Sequence, residues 1–486
     1  VKRVLFVPLD DRPAARQTAL DLLPLLGAEW STPPREMLGR RRRPADIDAL
    51  FRWAEQEAAS ADALVASTEA FVHGGLVPSR LSVDPMEALW RRLDRLMALA
   101  GRLPTYLSAV NPRVPAAGAE EEPGYWGPYG DRLRAYSANL DAGEQAGDQA
   151  RLRTAIAALD GVPAAVVDDL LRRRRRQMLI NLELILLASR GQVASLLVGQ
   201  DDAAAYGLAR ADLAALRRFR ERCGAARAHI SVGADELGAR LLARLASDTA
   251  GRAPRVSVHY TYPDSTHSVP RYEPLPLEET VAGHLEAAGC EVAEDDPDIL
   301  LWVHNFSGSQ QREAADQWEG APQAPQPVVT ALAGAASRGV VCGCADARFA
   351  NGADDALVRA LLVRKDLAGL VGYAGWNTCS NSLGTVIAQT VLYYHARGRL
   401  PEARLRQIRR RYLARRLLDD WGYQTVIRPY LAREVAPRVR ADPSSLGAAA
   451  ATLREAAMRR YGEEILPPVE RALGPSGFAG LGFPWD

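Results

Sequence analysis

Residues Leu196-Leu197-Val198-Gly199-Gln200-Asp201-Asp202-Ala203-Ala204-Ala205-Tyr206-Gly207 carry an apolar run that stops at two adjacent carboxylates. A glycine follows, and then a long helical pattern begins. Such a run reads as a buried strand opening onto the binding face of a parallel α/β protein. Two like charges side by side raise the free energy unless a neighbour uses or neutralises one of them.

The same unit of strand, polar loop and helix recurs along the chain. Val4 to Leu9 ends in Asp10-Asp11-Arg12-Pro13, Ala63 to Ser67 ends in Thr68-Glu69, and Thr105 to Val110 ends in Asn111-Pro112-Arg113. After the opening stretch come Ala228 to Val232, Arg255 to Tyr260, Ile299 to Val303, Val340 to Cys344 and Leu370 to Tyr373. The alternation predicts a mainly parallel sheet. Eight or nine such units favour a (β/α)8 barrel of the TIM type over an open doubly wound sheet. Nine candidates for eight places leave one strand outside, and the eighth or ninth is the one expected to lie there. No dinucleotide glycine fingerprint or phosphate loop follows any strand.

The barrel is expected over residues 1–387, with a helical insertion at about 115–190 after the third strand. Residues 388–486 read as a C-terminal helical appendage rich in arginine. The run Arg172 to Arg176 cannot share one helix face. It reads as a solvated helix or as one pairing with acids across a homo-oligomer contact, with phosphate binding as the rarer alternative.

The chain has 486 residues, 48% of them hydrophobic, enough for a sizeable core. A formal net charge of +1 gives no bias toward nucleic acid or an anionic membrane. The five cysteines are scattered and odd in number, so they read as reduced core residues. No apolar run is long enough to span a bilayer and the chain enters a strand at once, which makes cytoplasmic the expected location.

Polar residues collect at the expected strand ends. Asp10, Asp11, Arg12, Tyr206, Asn305, Asp346, Trp376 and Asn377 are the candidate substrate-binding residues. Acids and amides bind hydroxyls, and an indole face stacks on a sugar ring. Asp201 and Asp202 are the candidate catalytic pair. No His-x-His or His-Glu-x-x-His cluster accompanies them, so neither metal nor cofactor is expected. Two adjacent acids suit general acid–base chemistry in which like-charge proximity keeps one protonated.

The segments Pro8-Leu9-Asp10-Asp11-Arg12-Pro13, Gly74-Gly75-Leu76-Val77-Pro78-Ser79-Arg80, Gly199-Gln200-Asp201-Asp202, Gly233-Ala234-Asp235-Glu236 and Gly372-Tyr373-Ala374-Gly375-Trp376-Asn377-Thr378 together resemble a bacterial family known only as a domain of unknown function. The acid pair also resembles that of the substrate-assisted β-N-acetylhexosaminidases and β-N-acetylgalactosaminidases, barrel enzymes with tandem acids after the fourth strand. That resemblance implies that Asp201 polarises the substrate's acetamide while Asp202 serves as general acid/base. The implied activity is retaining hydrolysis of a β-linked N-acetylhexosamine, through an oxazoline, from an amino-sugar glycoside. The rival readings are a metal-assisted hydrolase using Asp10, Asp201, Asp235 and Asp346, and a non-catalytic carbohydrate-binding protein.

Overall fold

Short apolar segments flanked by polar loops are buried on both faces when helices cover a parallel sheet. In the computed structural model, all nine predicted segments are strands. It describes residues 1–116, 120–317, 326–363, 367, 369–439, 449–478 and 480. Parts of the expected insertion (117–119) and of the C-terminal region (440–448, 479 and 481–486) lie outside the described residues.

The chain forms two compact units, Val1–Thr249 with Tyr272–Ala288, and Ala250–Arg271 with Gly289–Asp486. The first holds six strands: β1 (Arg3–Val7), β2 (Glu29–Ser31), β3 (Ala63–Ser67), β4 (Thr105–Asn111), β5 (Ser195–Gln200) and β6 (Ala228–Val232). They pair in parallel in the order β2-β1-β3-β4-β5-β6. Every residue of β3 to β6 is buried, whereas Glu29 and Trp30 of the short edge strand β2 are exposed. On one face, Leu5, Leu64, Leu107, Leu196 and Ala228 belong to one continuous apolar core. Helix Met86–Ala100 presents Leu89, Leu93 and Leu96 to it, a spacing that lies along one helix face. Three helices (Trp126–Ala146, Gln149–Ala158 and Ala164–Ser189) separate β4 from β5.

The second unit has β7 (Arg255–Tyr260), β8 (Glu291–Val292), β9 (Ile299–Asn305), β11 (Val341–Ala347) and β13 (Leu370–Ala374) in the parallel order β13-β11-β9-β7-β8. The two-residue strands β10 (Arg312–Glu313) and β12 (Phe349–Ala350) form a separate parallel pair. Its core extends over helix Glu402–Arg416 and the wider-wound Leu417–Ile427, where Trp421 is fully buried and donates to Asp355 Oδ1 at 2.9 Å.

A closed barrel is therefore not shown: the strands pair in two separate open sheets. The eighth and ninth predicted strands, β11 and β13, are neighbours in the second of them. The short strands β2 and β8 decide the topology. Each lies beyond the first strand of its unit, so the chain must cross back to reach β3 and β9. Both sheets thus share one doubly wound order, with a switch point between β1 and β3 and another between β7 and β9. Ligands of open parallel sheets bind outside the strands' carboxyl ends at such points.

The arginine run makes its recorded contacts within the chain. Arg172 and Arg173 pair with Asp169, Arg174 with Asp212, and Arg176 donates to the carbonyls of Ser82 and Asp84. No helix among the described residues is long and apolar enough to cross a membrane.

The end of β5 is packed against backbone. A Cβ on Gly199 would lie 2.2 Å from the Gly233 carbonyl oxygen and 2.8 Å from Leu237 Cδ1. Gly233 itself has φ +104°, where a side chain is strained. Gly199→Ala is expected to destabilise the protein by about 1–3 kcal/mol or more, since the clash is with backbone. Thermal unfolding followed by circular dichroism reads the loss as a lowered Tm.

Candidate active site

Each strand of the first sheet delivers charged side chains to its carboxyl end. After β1, Arg12 Nε donates to both oxygens of Asp10 at 2.9–3.0 Å, and its Nη2 reaches Asp235 Oδ1, after β6, at 2.7 Å. One planar guanidinium thereby ties the first strand's loop to the sixth's. Asp11 pairs instead with Arg35, at 3.1 Å.

After β3, the turn Thr68–Val72 carries Glu69 into the interior. Its carboxylate accepts from Val110 N at 2.7 Å, Ser67 Oγ at 3.1 Å and Gln177 Nε2 at 3.3 Å. Burial pushes its pKa up to about 7, with those hydrogen bonds acting in the opposite direction. His73, at the end of the same turn, is pushed down to about 4 by burial and then by Arg176, so its ring is neutral at pH 7.

Asp201 closes β5. Its Oδ2 accepts from Arg80 Nη2 at 2.5 Å, and its Oδ1 accepts from the Asp202 amide at 2.9 Å. Both partners of the Arg80–Asp201 ion pair are nearly inaccessible, with 6% and 7% of their side chains exposed. Burial pushes Asp201 up, but Arg80 and Arg113 outweigh it and hold the carboxyl below its ordinary value. Asp202 goes the other way. Burial first, and then the Asp201 charge, push it up to about 6 against the weaker pull of Arg113. With 36% of its side chain exposed, Asp202 keeps contact with solvent.

Two further acids complete the network. Arg80 Nη1 reaches Glu121 at 3.0 Å and Glu122 at 3.5 Å. Arg113 reaches Glu122 at 2.8 Å, Glu121 at 3.3 Å and Asp202 at 3.5 Å. Glu122 is raised, chiefly by burial.

Asp10, Asp11, Arg12, Asp201 and Asp202 thus lie together at the carboxyl ends of one sheet. Tyr206, in the loop leaving Asp202, has 49% of its surface exposed. The remaining candidates belong to the second unit. Asn305 spends both ends of its amide on the Tyr262 backbone, at 2.9 and 2.8 Å, and so braces β9 against the loop after β7. Asp346 is buried, accepts from Tyr373 Oη and Asp354 N on the same oxygen, and is raised to about 6, chiefly by burial. Trp376 is half-buried, with its indole N–H toward Thr385 Oγ1 at 3.3 Å and the Arg416 guanidinium over its ring. Asn377 has φ +48°, and its amide donates to Asn381. Among the described residues, no group of three or more His, Cys, Asp or Glu is placed to hold a metal ion.

Arg80, Arg35, Glu121 and Glu122 were not among the residues expected in the site. Arg80 stands in the Gly74–Arg80 motif, which was its only sequence signal. Nothing local marks the two glutamates as its partners.

A family model described as a protein of unknown function (DUF4127) matches residues 4–486, and the chain belongs to that family. No curated protein and no solved structure matches it significantly.

Removing one partner of a buried ion pair strands the other. Arg80→Met is expected to lower stability by about 3–5 kcal/mol in urea unfolding. Adding Asp201→Asn should recover part of that loss, because the stranded charge is gone. Glu69 makes a separate prediction. Its folded pKa of about 7 lies above the ordinary glutamate value of 4.5, so its stability contribution falls as pH rises between the two. Glu69→Gln removes that titration, and its stability relative to wild type should improve from pH 4.5 to pH 7.5.

Proposed function

We propose that the chain is a glycoside hydrolase that removes a β-linked N-acetylhexosamine with substrate assistance, and that Asp202 is its general acid/base. One observation carries the reading: the two neighbouring carboxyls after β5 are driven in opposite directions, Asp201 below its ordinary value and Asp202 up to about 6. A pair with separated pKa values can divide roles, one group remaining charged while the other moves a proton.

Asp202 protonates the glycosidic oxygen as the C1–O bond breaks, and the substrate's acetamide oxygen closes on C1. Asp202, now ionised, takes a proton from the water that opens the oxazoline. Asp201 faces the developing positive charge of the acetamide. Arg80 and the Asp202 amide occupy one acceptor position on each Asp201 oxygen, and a carboxylate has about four. Each oxygen therefore keeps a lone pair that these two donors do not use. The exposed ring of Tyr206 offers an apolar face to a sugar.

Support for this reading comes from the electrostatics of the pair and not from its strand number. The analogy with a fourth barrel strand falls away because the sheet is open. The metal-assisted alternative gains nothing from the described residues.

Asp202→Asn is expected to cut kcat/KM on unactivated N-acetylhexosaminides by about 10²–10⁴-fold. The loss should be much smaller for 4-nitrophenyl glycosides, whose leaving group needs little protonation. Because the protonated form is the acid, wild-type kcat/KM should fall as pH rises through about 6. An absence of turnover on every aryl N-acetylhexosaminide, gluco or galacto, would overturn the proposal.

A further inference from the structure

The second sheet has its own switch point, between β7 and β9, and a different set of polar residues meets there. Thr261 directly follows β7, and its Oγ1 lies 2.9 Å from His304 Nδ1 on β9. The other ring nitrogen, Nε2, lies 2.9 Å from Asp354 Oδ2. Trp302 Nε1 donates to the same Thr261 Oγ1 at 2.9 Å.

The donors and acceptors give this chain a direction. An indole N–H can only donate, and an ionised carboxylate can only accept. With a neutral ring, every contact is satisfied when Trp302 donates to Thr261, Thr261 donates to His304 Nδ1, and His304 Nε2–H donates to Asp354. The threonine oxygen is left with one lone pair that none of these contacts uses.

The carboxylate is firmly placed. Asp354 Oδ2 also accepts from Arg348 Nη1 at 2.9 Å, and Oδ1 accepts from Ala356 N at 3.0 Å. His304 and Asp354 have no exposed surface, while Thr261 is only half-buried. The hydroxyl is therefore the accessible end of a relay whose base and acid are shielded from water. Hydroxyl, imidazole and carboxylate in this sequence constitute the arrangement that activates a nucleophile, recognised by geometry and not by chain order.

We infer that Thr261, His304 and Asp354 form an acyl-transfer centre at the switch point of the second unit, with Thr261 as nucleophile and a carboxylic ester as substrate class. The Thr261 oxygen attacks the acyl carbon, and its proton passes to His304 Nδ1. The imidazolium is held by Asp354. Collapse of the tetrahedral adduct breaks the bond to the alcohol oxygen, which leaves with the proton from His304. Water then attacks the acyl-threonine, its proton goes to His304, and the acid departs as Thr261 recovers that proton. The cycle needs no oxidant, metal or cofactor, and it rests on none of the residues assigned to glycoside hydrolysis.

A purely structural role for the same contacts would tie β7 to β9 without reactivity, so the test reads reactivity directly. The full-length protein is treated with a fluorophosphonate, in which Oγ1–P forms as P–F breaks, and the adduct is mapped by mass spectrometry. Steady-state hydrolysis of 4-nitrophenyl acetate is measured in parallel. The expected result is a single adduct on Thr261 that is retained in Thr261→Ser and absent from Thr261→Val, with ester hydrolysis in Thr261→Val reduced by about 10²–10⁴-fold. His304→Gln should reduce both readouts by a similar factor. If the buried His304 variant fails to fold, the threonine pair decides alone, since both changes are small and half-exposed. No adduct on wild-type Thr261, an adduct on another residue only, or undiminished ester hydrolysis in folded Thr261→Val would overturn the inference.

Discussion

The contact between Arg80 and Asp201 is the constraint on which the candidate site depends. It joins the segment after β3 to the end of β5, with both groups withdrawn from water. A charge in that position raises the free energy by several kcal/mol unless a partner meets it with good geometry. Arg80 meets it through Nη2, and its other terminal nitrogen, Nη1, continues to Glu121 and Glu122. The loop carrying those two glutamates is thereby held against Arg113, which reaches Asp202. Burial and the Asp201 charge raise Asp202, while Arg113, and more weakly Arg80, draw it back down.

Repetition of one topology in both sheets gives the second constraint. In each unit, the short strand on the far side of the first strand forces the connection to reverse. In open parallel sheets of this order, ligands bind at the carboxyl ends of the two paired strands that flank the reversal. In the first unit Asp10, Arg12, Glu69 and His73 follow those strands. In the second, Thr261 follows β7 and His304 lies near the end of β9. The composition differs, with paired ions in one and a hydroxyl–imidazole relay in the other, as expected when chemistry is carried by loops on a shared framework.

Much of this was legible in the sequence. All nine long strands were, because most of them are buried and carry short apolar runs. The strands with no readable run were the short edge strands Glu29–Ser31 and Glu291–Val292, together with the two-residue pair Arg312–Glu313 and Phe349–Ala350. Without the two edge strands, a doubly wound order reads as a barrel, since strand, loop and helix alternate identically in both. In the site, Asp201 and Asp202 stood out because they end an apolar run. Their partners did not, because Arg80 is 121 residues from Asp201 in sequence. Asn305 and Trp376 show the converse. They sit at strand ends as expected, yet their recorded polar contacts brace loops and helices of their own unit.

The dipeptide Asp-Asp is not special in itself, since it occurs six times in the chain. At Asp10-Asp11 each acid has its own arginine. Asp168 and the pair Asp295-Asp296 are exposed and solvated. Asp354 is held by His304 and Arg348, while Asp355 is held by Arg359. Asp420 is raised to about 7, chiefly by burial, but is sealed from solvent. Only after β5 does one acid sit locked in a buried ion pair while its neighbour is both raised and partly open to solvent. Arg80 and Arg113 there face four carboxylates, so two negative charges are in excess. Water can take up part of that excess at Glu121, and a proton can relieve it at Glu122 or Asp202. Of those two raised acids, Asp202 is the one with substantial exposure, which makes it the position from which a proton can be exchanged with a substrate.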